Sequence, residues 1–287
     1  MRFAASTLIS AAMHLEFTKM NGAGNDFVLV DNRDRKISLA REQVIHLCHR
    51  QRGAGADGIM LLVPCTSGRA DWAWQFYNSD GSDAEMCGNG ARCFARFIQK
   101  LTGVADRVTF ETVAGVILAT FDGDRVTVNL TKPKDLRLSE VLAVAGHSLT
   151  IHSLNTGVPH AVVFVEDADR AMVQPLGGEI RHHTHFAPRG ANVNFVQITG
   201  PNSIRVRTFE RGVEGETLSC GTGAVAVALA ARLDGAAETV VVVARSGLML
   251  TVTIEGDPRH AVGARLTGDA RVVFEGVLDA EGTPSLP

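Results

Sequence analysis

Ala84-Glu85-Met86-Cys87-Gly88-Asn89-Gly90-Ala91-Arg92 has an echo far downstream, Thr217-Leu218-Ser219-Cys220-Gly221-Thr222-Gly223-Ala224. Each copy sets a cysteine and a glycine-containing turn directly before an Ala-rich apolar run that reads as a helix, over 88–101 and 221–233. A helix N-terminus carries unpaired backbone N–H groups and about half a positive charge, so it favours thiolate over thiol and can hold a carboxylate. Two thiols, each at a helix mouth, are a chemical proposition that depends on whether the mouths meet.

Working outward from the first motif, residues 72–77 alternate as a strand and deliver the turn sequence Asn78-Ser79-Asp80-Gly81 into it. Upstream, 15–20 and 27–31 read as buried strands around an exposed polar loop, Asn21-Gly22-Ala23-Gly24-Asn25-Asp26. Residues 39–50 read as a short helix with Val44, Ile45, Leu47 and Cys48 inward, and 59–63 as a buried strand. Downstream, strands at 107–112, 116–121 and 125–130 are separated by the hairpin signals Ala114-Gly115 and Asp122-Gly123-Asp124.

Thr131-Lys132-Pro133-Lys134 reads as a boundary, after which the plan repeats. Strands at 147–154, 161–165, 191–198 and 203–209 lead to the second cysteine motif and its helix, and strands at 238–244, 248–254 and 261–267 follow. Each half is therefore strands, cysteine motif, helix, antiparallel strands, a duplication of architecture more than of letters. The expected units are 13–130 and 131–270, with a last strand at 271–277 assigned to the first. Residues 1–12, with Met13 as an alternative start, and 279–287 are expected to be disordered.

The 287 residues, 45% hydrophobic, suffice for two ordinary cores. Twenty-eight basic and 31 acidic residues leave a net charge of −3 with the signs interspersed, which argues against nucleic acid and against a membrane surface. No apolar run reaches the roughly 18–20 residues of a membrane span. Five scattered cysteines in a chain of this length favour reduced thiols in a cytoplasm over a disulfide framework.

Several motifs have plainer readings. Gly53-Ala54-Gly55-Ala56-Asp57-Gly58 spells a dinucleotide fingerprint, but a helix precedes it and a strand follows, the reverse of what that loop needs. His182, His183 and His185 lack a metal-ligand partner pattern and read as solvated loop histidines. Cys48, Cys65 and Cys93 read as small buried hydrophobes. Only Cys87 and Cys220 precede Gly-x-Gly-Ala.

The chain closely resembles the diaminopimelate epimerase family of lysine and cell-wall biosynthesis. The resemblance rests on Met20-Asn21-Gly22-Ala23-Gly24-Asn25-Asp26-Phe27, on Asn78-Ser79-Asp80-Gly81-Ser82 leading to Cys87-Gly88-Asn89-Gly90-Ala91-Arg92-Cys93, on Pro159-His160, on Asn192-Val193-Asn194-Phe195, and on Glu210-Arg211-Gly212 leading to Cys220-Gly221-Thr222-Gly223. It implies an α/β fold of α+β type: two pseudo-symmetric domains, each a curved, mostly antiparallel sheet wrapped around a central helix. It also implies an active site between them and two-base chemistry on a small amino-acid substrate, with neither cofactor nor metal. By resemblance Cys87, Cys220, His160 and Glu210 are catalytic. The resemblance likewise implies that Asn25, Asn78, Gly88, Asn89, Asn192, Glu210, Arg211, Gly221 and Thr222 bind substrate and that the protein is a homodimer, and the reduced thiols place it in the cytoplasm.

Two departures bear on substrate identity. Val158 replaces an asparagine frequent in the family's Gly-Asn-Pro-His motif, and Gly58 replaces a glutamine that follows the aspartate in some members. Glu214 also lengthens the loop between Arg211 and Cys220. A racemase of another amino acid, an oxidoreductase resting on 53–58 and a non-enzymatic binding protein are the competing readings.

Overall fold

The structure, a computed structural model, describes residues 14–84 and 86–279, so the expected extension at 1–12 and the expected tail at 279–287, apart from Asp279 at the end of a strand, lie outside the described residues. In the first half β1 (His14–Gly22) and β2 (Asn25–Asp31) form a hairpin. Helix α1 (Arg41–Cys48) crosses to β3 (Gly58–Pro64), which turns back into β4 (Trp72–Asn78). Helix α2 (Gly88–Thr102) then crosses to a meander of β5 (Arg107–Thr112), β6 (Gly115–Asp122) and β7 (Arg125–Leu130). The pairs β2–β3 and β4–β5 are parallel, which is why each needs a helical crossover.

After β8 (Lys134–Val144), the second half takes the same route. The hairpin is β9 (His147–Asn155) and β10 (Pro159–Phe164), and α3 (Val173–Arg181) crosses to β11 (Asn192–Gly200), followed by β12 (Ser203–Glu210) and the short β13 (Gly215–Thr217). Helix α4 (Gly221–Leu233) crosses to β14 (Thr239–Val243), β15 (Met249–Glu255) and β16 (Gly263–Asp269). Here β10–β11 and β12–β14 are the parallel pairs, at the positions equivalent to those of the first half. The halves join through antiparallel pairing of β7 with β16, their corresponding last strands. Each gains one outer strand, β8 on β9 and β17 (Arg271–Asp279) on β1.

Helix α4 is apolar all round and is buried from Gly221 through Ala231, as expected of a helix encircled by sheet. Helix α2 has a face instead: Phe94, Phe97 and Ile98 are buried, and Leu101 on the same side is half-buried. Phe94 makes edge contacts with Trp74 and Phe110 at centroid distances of 5.6 and 5.0 Å. Burial of such side chains stabilises the fold by roughly 1.5–3 kcal/mol each.

Four expectations need correction. The 21–26 stretch is not an exposed loop. The strands continue into it, leaving a two-residue turn at Ala23-Gly24 with φ of 54° and 108°, and Ala23 is wholly buried because the turn docks near Leu218 of the other half. Ile45 points outward, 38% exposed. Strand β8 has no counterpart in the sequence reading because two register shifts, with Asp135 and Ser139 at positive φ, break its alternation. Helix α3 was hidden by Pro175 and by Gly177-Gly178. Pro175 lies in the first turn, where proline is tolerated, and Gly177 is required by close packing on Phe209.

That packing is testable. A β-carbon at Gly177 would fall 2.6 Å from the Phe209 Cβ, whereas one at Gly178 would meet only the Phe209 Cζ at 3.9 Å. Gly178→Ala is therefore expected to raise stability by up to about 1 kcal/mol through helix propensity. Gly177→Ala is expected to lower it by about 1–3 kcal/mol through overpacking. Denaturant midpoints that rise for both would contradict this placement of α3.

Candidate active site

Cys87 is the N-cap of α2 and Cys220 the N-cap of α4. The two helices meet tip to tip: a β-carbon added at Gly221 would lie 3.1 Å from the Gly88 Cα and 3.1 Å from the Asn89 nitrogen. Any side chain there would push the tips apart. The first-turn N–H groups, which a helix leaves without internal acceptors, thus gather at one junction. A cavity of about 560 Å³ opens on it. Cys87, Gly88, Cys220, Gly221 and Thr222 line it from the tips, and Asn25, Asn78, Asn192, Glu210 and Arg211 from the surrounding strand ends and turns.

The Cys87 sulfur accepts a hydrogen bond from the Gly90 N–H at 3.4 Å, and the Cys220 sulfur lies 3.6 Å from the Thr222 hydroxyl. Even so, burial pushes the Cys87 thiol up to about 11, with the N–H groups of Gly90 and Asn89 only moderating the rise. Burial raises Cys220 as well, and the negative charge of Glu210 adds to both shifts. The expectation that a helix mouth by itself yields a thiolate is therefore reversed, because desolvation outweighs the partial charge of the helix end. Glu210 is raised by burial, to which the Asp57 charge adds. His160, fully buried and near Arg211, is pushed down to about 3 and stays neutral.

The sequence model of diaminopimelate epimerase matches residues 17–135 and 152–273, one segment around each cysteine motif. The chain belongs to the diaminopimelate epimerase family. It is 44% identical over 279 residues to the diaminopimelate epimerase of Aquifex aeolicus, covering 93% of this chain and 99% of that one. It is 42% identical over 282 residues to that of Archaeoglobus fulgidus, covering 93% and 97%. Among solved structures, the fold is similar to that of a Bacillus anthracis phenazine biosynthesis protein of the PhzF family, with a TM-score of 0.72, 15% identity and coverage of 93% and 99%. It is also similar to that of a hydroxyproline epimerase from Agrobacterium vitis, with a TM-score of 0.70, 19% identity and coverage of 93% and 92%.

Of the residues the family resemblance nominates, His160 and Asn89 do not face the cavity. Both are fully buried one layer behind it. The Asn89 Nδ2 donates to the Asn25 Oδ1 at 2.7 Å and to the Ser219 hydroxyl at 3.4 Å, bridging the halves. The Asn25 Nδ2 in turn donates to Asp57 at 3.0 Å, so the Asn25 carboxamide is fixed at both ends. Asp57 also pairs with Arg50, and Arg50 with Asp26. The Asn192 Oδ1 accepts from the Arg211 backbone N–H at 2.8 Å, and the Asn78 Nδ2 donates to the Ser82 hydroxyl at 3.0 Å. Val158 lies on the cavity wall, an apolar side chain in a polar setting.

Asp57, Arg92 and Ser219 support the site without having been assigned a role in it, and Asn194, present in the family motif, supports it from behind the cavity. Arg92 is fully buried and donates to the Gly88 carbonyl and the Asn89 Oδ1, bracing the tip of α2 from beneath. Its place inside an apolar helical run was the available signal. In the histidine group, His182 stays exposed, caps the end of α3 and bonds Glu214, while His185 is half-buried and bonds Glu140. Glu214 also pairs with Arg181. Cys65 is no buried hydrophobe, since its thiol donates to Glu111 at 3.2 Å.

Alkylation of Cys87 by iodoacetamide in the substrate-free protein is expected to climb with pH from 9 toward 11, following the raised thiol. Peptide mass spectrometry reads it, and a plateau already reached below neutral pH would show that the helix end dominates after all.

Proposed function

We propose that the protein interconverts LL-2,6-diaminopimelate and meso-diaminopimelate by two-base proton transfer at one α-carbon. The observation that carries this reading is the meeting of two cysteine-capped helix N-termini at one cavity. The substrate's α-carboxylate sits at the joined tips, where stationary N–H donors take up the charge that spreads from the α-carbon as its proton leaves. One cysteine, as thiolate, takes that proton. The other, as thiol, delivers its own to the opposite face, and the configuration inverts.

Cys220 is the acceptor and Cys87 the donor from LL to meso, with roles exchanged in reverse. Glu210, at the end of β12, faces the reacting ammonium, and His160 supports the Cys220 side through Thr222. Asn25, Asn78, Asn192 and Arg211 hold the distal end, where the planar guanidinium suits a carboxylate. The proposed steps use neither cofactor nor metal, because donors and thiols of the chain itself account for each proton and charge. The two working units are 13–130 with 271–277, and 131–270.

The protein is taken to act in the cytoplasm as a homodimer. Its five unpaired thiols suit a reducing compartment. An apolar strip on β17, with Val273, Phe274 and Val277 exposed by 56%, 46% and 59%, supports self-association. Val158 favours one second reading, a racemase of a different amino acid, because the cavity wall there cannot hydrogen-bond.

In deuterium oxide, LL-diaminopimelate is expected to yield the meso form carrying deuterium at the inverted carbon. Cys87→Ser and Cys220→Ser should each cost roughly a hundred- to ten-thousand-fold in kcat. Turnover of another amino acid with none of diaminopimelate would establish the second reading, and unimpaired serine variants would remove the two-base mechanism.

A further inference from the structure

Behind Cys220 runs a buried chain of polar side chains whose hydrogen bonds have a single consistent direction. Asn194, on β11, is wholly buried, and its Nδ2 lies 3.0 Å from the Ala161 carbonyl oxygen and 3.2 Å from the His160 Nδ1. A carbonyl oxygen can only accept, so the Ala161 contact identifies which end of the carboxamide is nitrogen. The other end, Oδ1, accepts from the Thr208 hydroxyl at 3.0 Å. Because the Asn194 Nδ2 has only hydrogens to offer, the His160 Nδ1 must present a lone pair. A neutral imidazole with a bare Nδ1 carries its hydrogen on Nε2.

The His160 Nε2 is 3.1 Å from the Thr222 Oγ1, so the histidine donates and the hydroxyl accepts. The one hydrogen of that hydroxyl is then left for the Cys220 sulfur, 3.6 Å away. In the opposite tautomer Nε2 would claim the hydroxyl hydrogen, and Thr222 could offer Cys220 only lone pairs, which suit a thiol and not a thiolate. The carboxamide also packs under the first turn of α4. A β-carbon at Gly223 would lie 2.7 Å from the Asn194 Oδ1 and 3.2 Å from the Cys220 sulfur.

We propose that Asn194 is a positioning residue: it holds His160 as the Nε2–H tautomer, which makes the Thr222 hydroxyl a standing donor to the Cys220 thiolate. The role rests on the proton-transfer reading above, yet its structural part is independent of substrate. Asn194 touches neither the cavity nor the reacting atoms, and Thr208 fixes its orientation from the far side. Burial and the nearby Arg211 charge keep the imidazole neutral, so the tautomer alone decides the direction of the chain.

Nitrogen-15 NMR of the histidine side chains tests this, with the His160 signals assigned by their loss in His160→Gln. The wild-type protein is expected to show one neutral Nε2–H tautomer; an Nδ1–H tautomer or an imidazolium overturns the proposal without any variant having to fold. Asn194→Leu is expected to give a mixture of tautomers and slower alkylation of Cys220 relative to Cys87. With LL-diaminopimelate, kcat should fall roughly ten- to a hundredfold with KM little changed, the worth of a hydrogen bond to a charged group.

Thr222→Val should cost a similar factor, and the double variant little more than either alone, since both break one chain. Costs that multiply would mean that Asn194 is only structural, and would overturn the proposal. The NMR and alkylation readings need no substrate. Absence of turnover on diaminopimelate in the wild type would therefore fail the proposed function alone.

Discussion

Two helix N-termini pressed together are, by themselves, an unfavourable arrangement. Each end carries partial positive charge and unsatisfied N–H groups, so the ends repel until an anion is placed between them. The rest of the protein holds them in place. Sheet β7–β16 joins the halves, the Asn89 Nδ2 reaches across to Ser219, and Gly88 and Gly221 remove the side chains that would separate the tips. Under the proposed chemistry, the substrate's carboxylate relieves that repulsion at the junction.

Enclosure has an opposite effect on the thiols. The water exclusion that strengthens N–H donors toward a carboxylate also denies solvation to a thiolate, and in the substrate-free protein the second effect wins at both Cys87 and Cys220. Glu210, itself raised by burial, deepens the bias toward neutral thiols. Under the proposed chemistry, the substrate's ammonium group brings the missing positive charge, and the Thr222 hydroxyl supplies a local donor on one side only. The pseudo-symmetry of the fold is thus broken at the level of side chains: the backbone N–H three residues on, of Gly90 or Gly223, acts on each thiol, but only Cys220 also faces a side-chain hydroxyl, which His160 backs.

Much of this was legible beforehand where burial is one-sided or complete. The meander at 107–130 alternates cleanly and was read within a residue or so, and the all-apolar run of α4 could hardly be anything but a central helix. Helix α3 and strand β8 were invisible for local reasons. In α3 a glycine pair, one member of which serves to admit Phe209, looks like a loop. In β8 two bulges reset the side-chain phase. The same limits applied at the site. Cys87 and Cys220 stood out as chemistry at a turn, and Glu210 and Arg211 entered only through the family resemblance, whereas Asp57, buried Arg92 and Asn194 act through partners far away in sequence.

What the sequence by itself determined is the repeated unit: a strand pattern, a cysteine capping a glycine-led helix, and a meander, written twice with the reactive atoms in the same place each time. Local periodicity and turn chemistry suffice for that, because each depends on neighbours within a few residues. Only the tertiary structure decided that the two helix tips touch, that His160 and Asn89 stand behind the cavity, and that both thiols are held neutral. Those outcomes depend on long-range packing and on the water it excludes, and desolvation is a property of the surroundings that no short stretch of sequence contains.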